Sequence, residues 1–230
     1  MIDCPSPNFD EREGVPVSIL VLHYTGMETA EGALQRLTDP EAKVSAHYLV
    51  AEDGTVMRLV AEDKRAWHAG LSFWRGVRNV NSASIGIEIV NPGHEFGYRP
   101  FTEPQMEAVL LLVKGITDRH GIELANVVGH SDVAPARKDD PGELFDWGLL
   151  ARHGLALGPV KPGADPHWTD AGTLMALERF GYDVADAVAA VRAFQRHFRP
   201  ANFDGVIDGE TRAILLALLI ADERSGKGNS

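Results

Sequence analysis

The fold is decided by an apolar stretch that ends in a histidine, Val17-Ser18-Ile19-Leu20-Val21-Leu22-His23. Its residues are mostly β-branched or aliphatic and do not alternate with polar ones, which is typical of a strand buried on both faces. The predicted strand spans residues 17–22, and His23 follows directly on it. Because ligands bind beyond the carboxyl ends of strands in open α/β sheets, His23 lies where a functional side chain is expected.

A second strand end carries another histidine. The short apolar run at residues 126–128 leads into His130, and a proline-broken loop then brings back Lys138 and Asp140. Two neutral imidazoles and one carboxylate suit a tetrahedral zinc ion that keeps one open position, as in hydrolytic zinc enzymes. We therefore predict a zinc site formed by His23, His130 and Asp140. Taken singly, the same residues are explained as structural histidines and a turn aspartate.

Strands and helices alternate through the first 155 residues. Thr102 and Gln105 form a capping box at the start of a predicted helix, and Gly121 provides its left-handed end. This alternation predicts an α/β (α+β) fold with a mixed central β-sheet flanked by helices. Further strands are expected at residues 47–51 and 55–60, on either side of the turn dipeptide Asp53-Gly54, and at residues 84–90.

The chain is predicted to contain two domains and a disordered tail. Residues 1–155 form the catalytic domain with the zinc site, and a Gly- and Pro-rich linker spans residues 156–168. Three amphipathic helices form a small domain over residues 169–222. At roughly 55 residues, this domain is near the lower limit for independent folding. Residues 223–230 are predicted to be disordered.

The composition narrows the choice of partners. Acidic residues number 33 against 22 basic ones, and the resulting net charge of -11 disfavours nucleic acid. No apolar run approaches the roughly 20 residues of a membrane span, so no integral membrane association is expected. The first residues lack the basic start and apolar stretch of a signal peptide. A cytoplasmic location is therefore expected, or a periplasmic one if a signal has been removed.

Two charged residues near the predicted zinc site are candidates for catalysis. Glu88 lies on the strand at residues 84–90, on the face opposite to three isoleucines, and suits a general base that takes a proton from water. Lys138 lies two residues before Asp140 and points the same way in an extended loop, where its ammonium can stabilise an oxyanion. The alternative interpretations are a solvent-facing glutamate and a solvated surface lysine.

Five further residues are predicted to contact substrate, namely His47, Trp67, His68, Arg78 and Asn79. Trp67 offers an aromatic face for a sugar or peptide, whereas the loop of Arg78 and Asn79 is equally consistent with plain surface. For His47, a role as a buried or supporting histidine is favoured over direct substrate contact. Solvated or helix-capping roles are expected for the remaining histidines, which are His94, His120, His153, His167 and His197.

The ordered series of motifs resembles the type-2 N-acetylmuramoyl-L-alanine amidases, relatives of the peptidoglycan recognition proteins. The resemblance covers about Pro7 to Trp147 and is carried by Leu22-His23-Tyr24-Thr25, Ser45-Ala46-His47-Tyr48, Ala66-Trp67-His68-Ala69-Gly70, Ser84-Ile85-Gly86-Ile87-Glu88, Gly129-His130-Ser131-Asp132 and Arg137-Lys138-Asp139-Asp140-Pro141-Gly142. The resemblance implies that His23, His130 and Asp140 bind zinc, that Glu88 is a catalytic residue and that Lys138 stabilises the oxyanion. Ala46 stands where some relatives have a tyrosine, which favours Glu88 as the base.

The C-terminal helices resemble the three-helix peptidoglycan-binding domain. The resemblance is carried by residues 191–198 and 203–212, with Asp208-Gly209 where that family often has Gly-Pro. It implies affinity for cell-wall glycan, and a purely structural role is the alternative.

The resemblance implies a zinc-dependent hydrolase of muropeptide or peptidoglycan. The bond cleaved would be the amide between N-acetylmuramic acid, with the 1,6-anhydro form as one candidate, and L-alanine of the stem peptide. Such a reaction belongs to peptidoglycan recycling or turnover. Two alternatives remain, a non-catalytic protein that only binds peptidoglycan or muropeptides and a zinc peptidase that cuts within the stem peptide.

Overall fold

A six-stranded mixed sheet lies at the centre of the computed structural model, which describes the backbone of residues 1–226 and the side chains of residues 1–223. Its strands follow the order β1-β5-β4-β7-β3-β8, while β2 and β6 form a separate antiparallel ribbon. The strands are β1 (Ile2–Asp3), β2 (Phe9–Glu11), β3 (Ile19–Tyr24), β4 (Tyr48–Val50), β5 (Val56–Arg58), β6 (Lys64–Ala66), β7 (Ser84–Ile89) and β8 (Val127–Gly129). The predicted mixed sheet is confirmed.

Helices flank this sheet. Those in the described part of the chain are α1 (Ala30–Thr38), α2 (Val80–Ala83), α3 (Gly93–Phe96), α4 (Glu103–His120), α5 (His130–Val133), α6 (Trp147–Arg152), α7 (Asp170–Phe180), α8 (Ala187–Phe198) and α9 (Gly209–Gly226). Because α9 continues to Gly226, the tail boundary predicted at Glu223 lies inside a helix. The remainder of the predicted tail, residues 227–230, lies outside the described residues. Within residues 1–226, no helix combines the length and apolar character needed to cross a bilayer.

Strand β3, which lies between β7 and the edge strand β8, separates two layers of core. Leu20 and Leu22 face α4 and pack with its Val109 and Val113, together with the isoleucines of β7. Helix α4 forms as predicted, since Thr102 and Gln105 complete a capping box and Gly121 adopts the left-handed conformation at φ 64°. This helix covers one face of the sheet, and the second layer of core lies on the opposite face.

The alternate residues of β3 face the C-terminal helices. Ile19 and Val21 belong to the same buried cluster as Phe180 of α7 and Phe194 of α8. Residues 156–168, predicted as a linker, contain no helix or strand, yet Ala156 is 3% exposed within the core. The three helices therefore share a core with the sheet, and their division into a separately folding domain stays a prediction.

Strand β3 begins and ends two residues later than predicted. Its ladder with β7 continues through the pairs His23–Glu88 and Tyr24–Ile89, so His23 is the fifth residue of the strand and not the residue after it. The apolar run ends at Leu22, but backbone pairing with β7 extends the strand across the polar residue. His23 is thereby held by the sheet itself.

Candidate metal centre and active site

Three parallel strands bring two of the predicted metal ligands, His23 and His130, and the predicted base Glu88 to one edge of the sheet. Strand β3 lies between β7 and β8 and runs parallel to both. His23 pairs with Glu88 across β3 and β7, so the two side chains stand on the same face. Leu22 pairs with Gly129 across β3 and β8, and His130 follows Gly129 as the first residue of α5.

The ligand atoms of His23, His130 and Asp140 converge on one point. His23 Nδ1 lies 2.9 Å from His130 Nδ1 and 3.0 Å from Asp140 Oδ2, and His130 Nδ1 lies 3.1 Å from the same oxygen. All three residues are buried, with exposures of 1%, 3% and 5%. Together they form a potential metal site.

The far side of each imidazole fixes which nitrogen carries the proton. His130 Nε2 lies 3.1 Å from the carbonyl oxygen of Ala69, which only accepts, so the proton is on Nε2 and the Nδ1 lone pair points into the site. His23 Nε2 lies 3.0 Å from His68 Nδ1, consistent with donation outward in the same way. Two nitrogen lone pairs and a carboxylate oxygen therefore face one another, an arrangement that a cation stabilises.

The protonation equilibria favour this ligand state near neutral pH. Burial, reinforced by His130, lowers the pKa of His23 to about 4, so that its imidazole is neutral. Burial alone would raise the pKa of Asp140, but its contacts with His130 and His23 hold that pKa well below the usual range of an aspartate. The site thus offers a neutral imidazole from His23 and an anionic oxygen from Asp140 beside the Nδ1 lone pair of His130, a donor set that suits a divalent metal.

Glu88 and Lys138 line the same cleft as the ligands His130 and Asp140, and the cleft has a volume of about 400 Å³. Burial, with a smaller contribution from Asp140, raises the pKa of Glu88 well above its ordinary value, while Lys138 opposes this rise. Glu88 Oε2 is buried and has no hydrogen-bond partner among the described residues. The side chain of Lys138 likewise forms no hydrogen bond or ion pair with the described part of the chain. Both charged groups are therefore available to a ligand.

The five predicted substrate contacts are distributed unevenly around the cleft. Trp67 and His68 line it, although His68 is only 8% exposed. Arg78 lies in a neighbouring groove beside Phe73, with its guanidinium 5.4 Å from the ring centre. Asn79 precedes α2, and Arg65 donates to its side-chain oxygen at 3.5 Å. Neither Arg78 nor Asn79 lines the cleft, because the loop that carries them turns away toward α2.

The prediction that His47 contacts substrate is wrong. The residue is 0% exposed, and its Nδ1 accepts a hydrogen bond from the backbone N–H of Gly86 at 2.9 Å. Its Nε2 lies 3.1 Å from the carbonyl oxygen of Lys64 and 2.9 Å from Arg12 Nη2. Burial lowers the pKa of His47 to about 3. The alternative interpretation, a buried histidine that supports β7 and β6, is the one that the contacts favour.

His47 should make the stability of the metal-free protein depend on pH. Its pKa falls from 6.5 in the unfolded chain to about 3 in the folded protein, so between these values the unfolded chain binds the extra proton. As the pH is lowered below 6.5, the free energy of unfolding should therefore decrease. The contribution of His47 to this decrease is up to about 1.4 kcal/mol per pH unit. Urea unfolding at several pH values should give a shallower slope for His47→Gln. The exposed control His153→Gln should keep the original slope, and equal slopes for all three proteins would contradict the assignment.

His68 links the metal site to the interior of the sheet. His23 Nε2 lies 3.0 Å from its Nδ1, and its Nε2 lies 3.1 Å from Ser84 Oγ, which donates to the carbonyl oxygen of Val80 at 2.6 Å. Gly86 leaves the space for this ring, since a Cβ there would lie 2.5 Å from His68 Cγ. His68 therefore orients His23 and presents only a small part of its ring to the cleft.

Replacing Gly86 with alanine should destabilise the protein by about 1–3 kcal/mol. The added methyl group displaces a ring held at both nitrogens, so the variant should also bind metal more weakly. Denaturant unfolding and metal titration measure the two effects. Gly115→Ala in α4 is the matched control, because its nearest contact is the flexible end of Arg119. We expect this control to stabilise the protein by up to about 1 kcal/mol. An unchanged stability of Gly86→Ala would show that His68 is free to move.

Several residues of the cleft were not singled out from the sequence. Tyr24 follows the ligand His23 and lies at the rim of the cleft. Its hydroxyl is 3.0 Å from His94 Nδ1, and His94 Nε2 is in turn 3.1 Å from the carboxylate of Glu143. Arg137 also lines the cleft and donates to the carbonyl oxygens of Ala69 and Leu71. Tyr24 is adjacent to the predicted ligand His23 and Arg137 to the predicted catalytic residue Lys138, a signal that could have identified both. Nothing local distinguished His94 from a solvated histidine.

Comparisons with known proteins agree on one family. The family model described as N-acetylmuramoyl-L-alanine amidase matches residues 13–143. The N-acetylmuramoyl-L-alanine amidase AmiD of Escherichia coli is 40% identical over 88% of this chain and 82% of its own length. The 1,6-anhydro-N-acetylmuramyl-L-alanine amidase AmpD of Enterobacter cloacae is 35% identical over 62% of this chain and 84% of its own length.

A solved structure extends the similarity to the C-terminal helices. It is the complex of the E. coli amidase AmiD with the substrate anhydro-N-acetylmuramic acid-L-Ala-D-gamma-Glu-L-Lys. That structure superposes with a TM-score of 0.81 at 36% identity, covering 93% of this chain and 98% of that one. The similarity therefore spans both the sheet and the helices that pack on it.

Proposed function

This chain belongs to the N-acetylmuramoyl-L-alanine amidase family, and from that premise we propose that it uses zinc to hydrolyse the amide between N-acetylmuramic acid and L-alanine of the stem peptide. The observation that carries the proposal is the convergence of His23 Nδ1, His130 Nδ1 and Asp140 Oδ2, beside the unpartnered carboxylate of Glu88. The chain is accordingly an amidohydrolase of the cell wall.

Zinc is the proposed metal because the donor set matches its preferences. Two imidazole nitrogens and one carboxylate oxygen are typical of catalytic zinc sites, in which a further position stays open to water or substrate. When bound, zinc supplies Lewis acidity, which polarises the substrate carbonyl and makes water more acidic. His23 and His130 are oriented for this role by His68 and by the carbonyl oxygen of Ala69.

The protein side chains supply the proton transfers and part of the charge stabilisation. Glu88 accepts a proton from the attacking water as the water oxygen bonds to the amide carbon. The same carboxyl then returns the proton to the leaving nitrogen of L-alanine as the C–N bond breaks. Lys138 stabilises the negative charge that develops on the carbonyl oxygen, a contribution typically worth about 2.7–4 kcal/mol for one such donor.

The substrate class follows from the relatives and from the cleft. AmpD is named as a 1,6-anhydro-N-acetylmuramyl-L-alanine amidase, and the AmiD complex holds an anhydro-N-acetylmuramic acid peptide. We propose soluble anhydro-muropeptides as substrates of this chain in peptidoglycan recycling or turnover. A cleft of about 400 Å³ with Trp67 on its wall is of a size that accommodates a sugar with the first residues of a peptide. The cytoplasmic location expected from the sequence stays a prediction, which cell fractionation tests.

The proposed reaction is tested by the masses of the products. The zinc-loaded chain is incubated with a defined anhydro-muropeptide and, in parallel, with intact sacculi. We expect two products from the muropeptide, the free stem peptide with an N-terminal alanine and the lactyl-bearing sugar acid. Cleavage between two amino acids of the stem would make the chain a peptidase. Tight binding without any product would make it a binding protein, and action on sacculi alone would exclude the recycling role.

A further inference from the structure

One C-terminal helix contacts both ends of the loop that carries two of the proposed ligands. The loop spans residues 129–143, and its two ends are joined by the backbone N–H of Ser131, which donates to the carbonyl oxygen of Asp140 at 2.8 Å. Helix α8 presents two consecutive residues to this loop, Arg196 and His197, which are 6% and 3% exposed. Arg196 and His197 are separated from the loop by more than fifty positions in sequence.

His197 holds the end of the loop near His130 through a buried aspartate. Asp132, two residues after His130, is 0% exposed. Its Oδ2 accepts from the backbone N–H of Gly129 at 2.7 Å and lies 2.7 Å from His197 Nδ1. Its Oδ1 accepts from the hydroxyl of Tyr182 at 2.6 Å. Because these contacts fix the residues on both sides of His130, they limit the directions in which its imidazole can turn.

Arg196 holds the end of the loop near Asp140. Its Nη2 lies 2.7 Å from the carboxylate of Asp139, and its Nε lies 3.7 Å from that of Glu143. The guanidinium also lies over the ring of Phe203, 5.2 Å from the ring centre. Asp139 directly precedes Asp140, and Glu143 follows Asp140 by three positions. The buried guanidinium of Arg196 therefore pairs with a carboxylate on each side of the proposed ligand in sequence. A buried charge paired in this way resists displacement, because breaking the pair would leave it unpaired in the interior.

We propose that α8 positions His130 and Asp140 for metal binding through His197 and Arg196, with Tyr182 completing the contact to Asp132. The inference rests on the proposed metal site and gives the C-terminal helices a role in it. It adds to the resemblance to a peptidoglycan-binding domain, since Arg196 and His197 belong to the motif that carries that resemblance and face the catalytic loop. Residues that orient metal ligands typically change affinity by about 10–100-fold when replaced.

The test is the affinity for zinc, measured in the full chain by competition with a chromophoric chelator. Arg196→Met should bind zinc about 10–100-fold more weakly than the unmodified chain, and Tyr182→Phe, which removes one oxygen, several-fold more weakly. Arg192→Met is the matched control, because the same substitution is made on the exposed face of the same helix. It should keep the original affinity. With muropeptide as substrate, Arg196→Met and Tyr182→Phe should lower kcat by a larger factor than they change KM.

Melting of the metal-free proteins separates positioning from simple support of the fold. If Arg196→Met and Tyr182→Phe both melt at a lower temperature but keep the zinc dissociation constant of the unmodified chain, the positioning role is overturned. The proposed function is not affected by that result. If the unmodified chain binds no zinc, the proposed function and this inference fail together. Should Arg196→Met not fold, Arg196→Lys replaces it, since the shorter cation keeps the charge but not the reach to both carboxylates.

Discussion

Replacing His130 with alanine should remove both the bound zinc and the amidase activity. The substitution deletes one of three converging ligand atoms and leaves His23 Nδ1 and Asp140 Oδ2 as a two-point site. A metal ion in a hydrolase contributes several kcal/mol to transition-state stabilisation, so turnover should fall at least about 10³-fold. Elemental analysis after dialysis should give about one zinc per unmodified chain and close to none in His130→Ala.

Thermal stability provides a second readout of this prediction. Zinc that binds only the folded chain raises the melting temperature, and this rise should be absent in His130→Ala. His153→Ala is the control, because His153 is an exposed histidine outside the cleft. It should retain zinc, the thermal shift and full turnover. A metal-free His130→Ala protein with the activity of the unmodified chain would rule out a metal-dependent reaction at this site.

The position of the metal site was predictable because it depends on short segments of sequence and one general rule. Parallel strands deliver their carboxyl ends to the same edge of a sheet, so polar residues at the ends of β3 and β8 were expected to meet. Glu88 followed from the period of two along β7, which separates it from the isoleucines. The exact end of β3 was not predictable, because backbone pairing with β7, and not the apolar run, determines how far the strand continues.

The residues that were missed depend on packing between distant segments. Three helices were predicted over residues 169–222, but no periodicity in them indicates that they share a core with Ile19 and Val21. His197 was expected to be solvated or capping because its neighbours in sequence are unremarkable, whereas its partner Asp132 lies 65 positions away. The erroneous assignment of His47 has the same origin, since a position near a predicted strand end does not tell a cleft from an interior.

Replacing Glu88 with glutamine should abolish most turnover while leaving zinc in place. Glutamine keeps the size of the side chain but accepts no proton at the working pH, so the rate should fall by about 10²–10⁴. Burial of Glu88 makes its charge costly, and removal of that charge also ends the repulsion from Asp140. Zinc content should therefore be unchanged and the melting temperature equal or higher. The measurements are kcat with a defined muropeptide, metal content and thermal unfolding.

The pH profile distinguishes a base from a residue that only binds substrate. Glu88 works in its deprotonated form, so activity is lost as pH falls through its pKa, and because that pKa is raised the loss begins above the pH at which an ordinary glutamate titrates. The residual rate of Glu88→Gln should lack this acid limb, whereas the exposed control Glu95→Gln should retain it together with full kcat. A Glu88→Gln protein with unchanged kcat, or with its acid limb intact, would transfer the role of base to another group in the cleft.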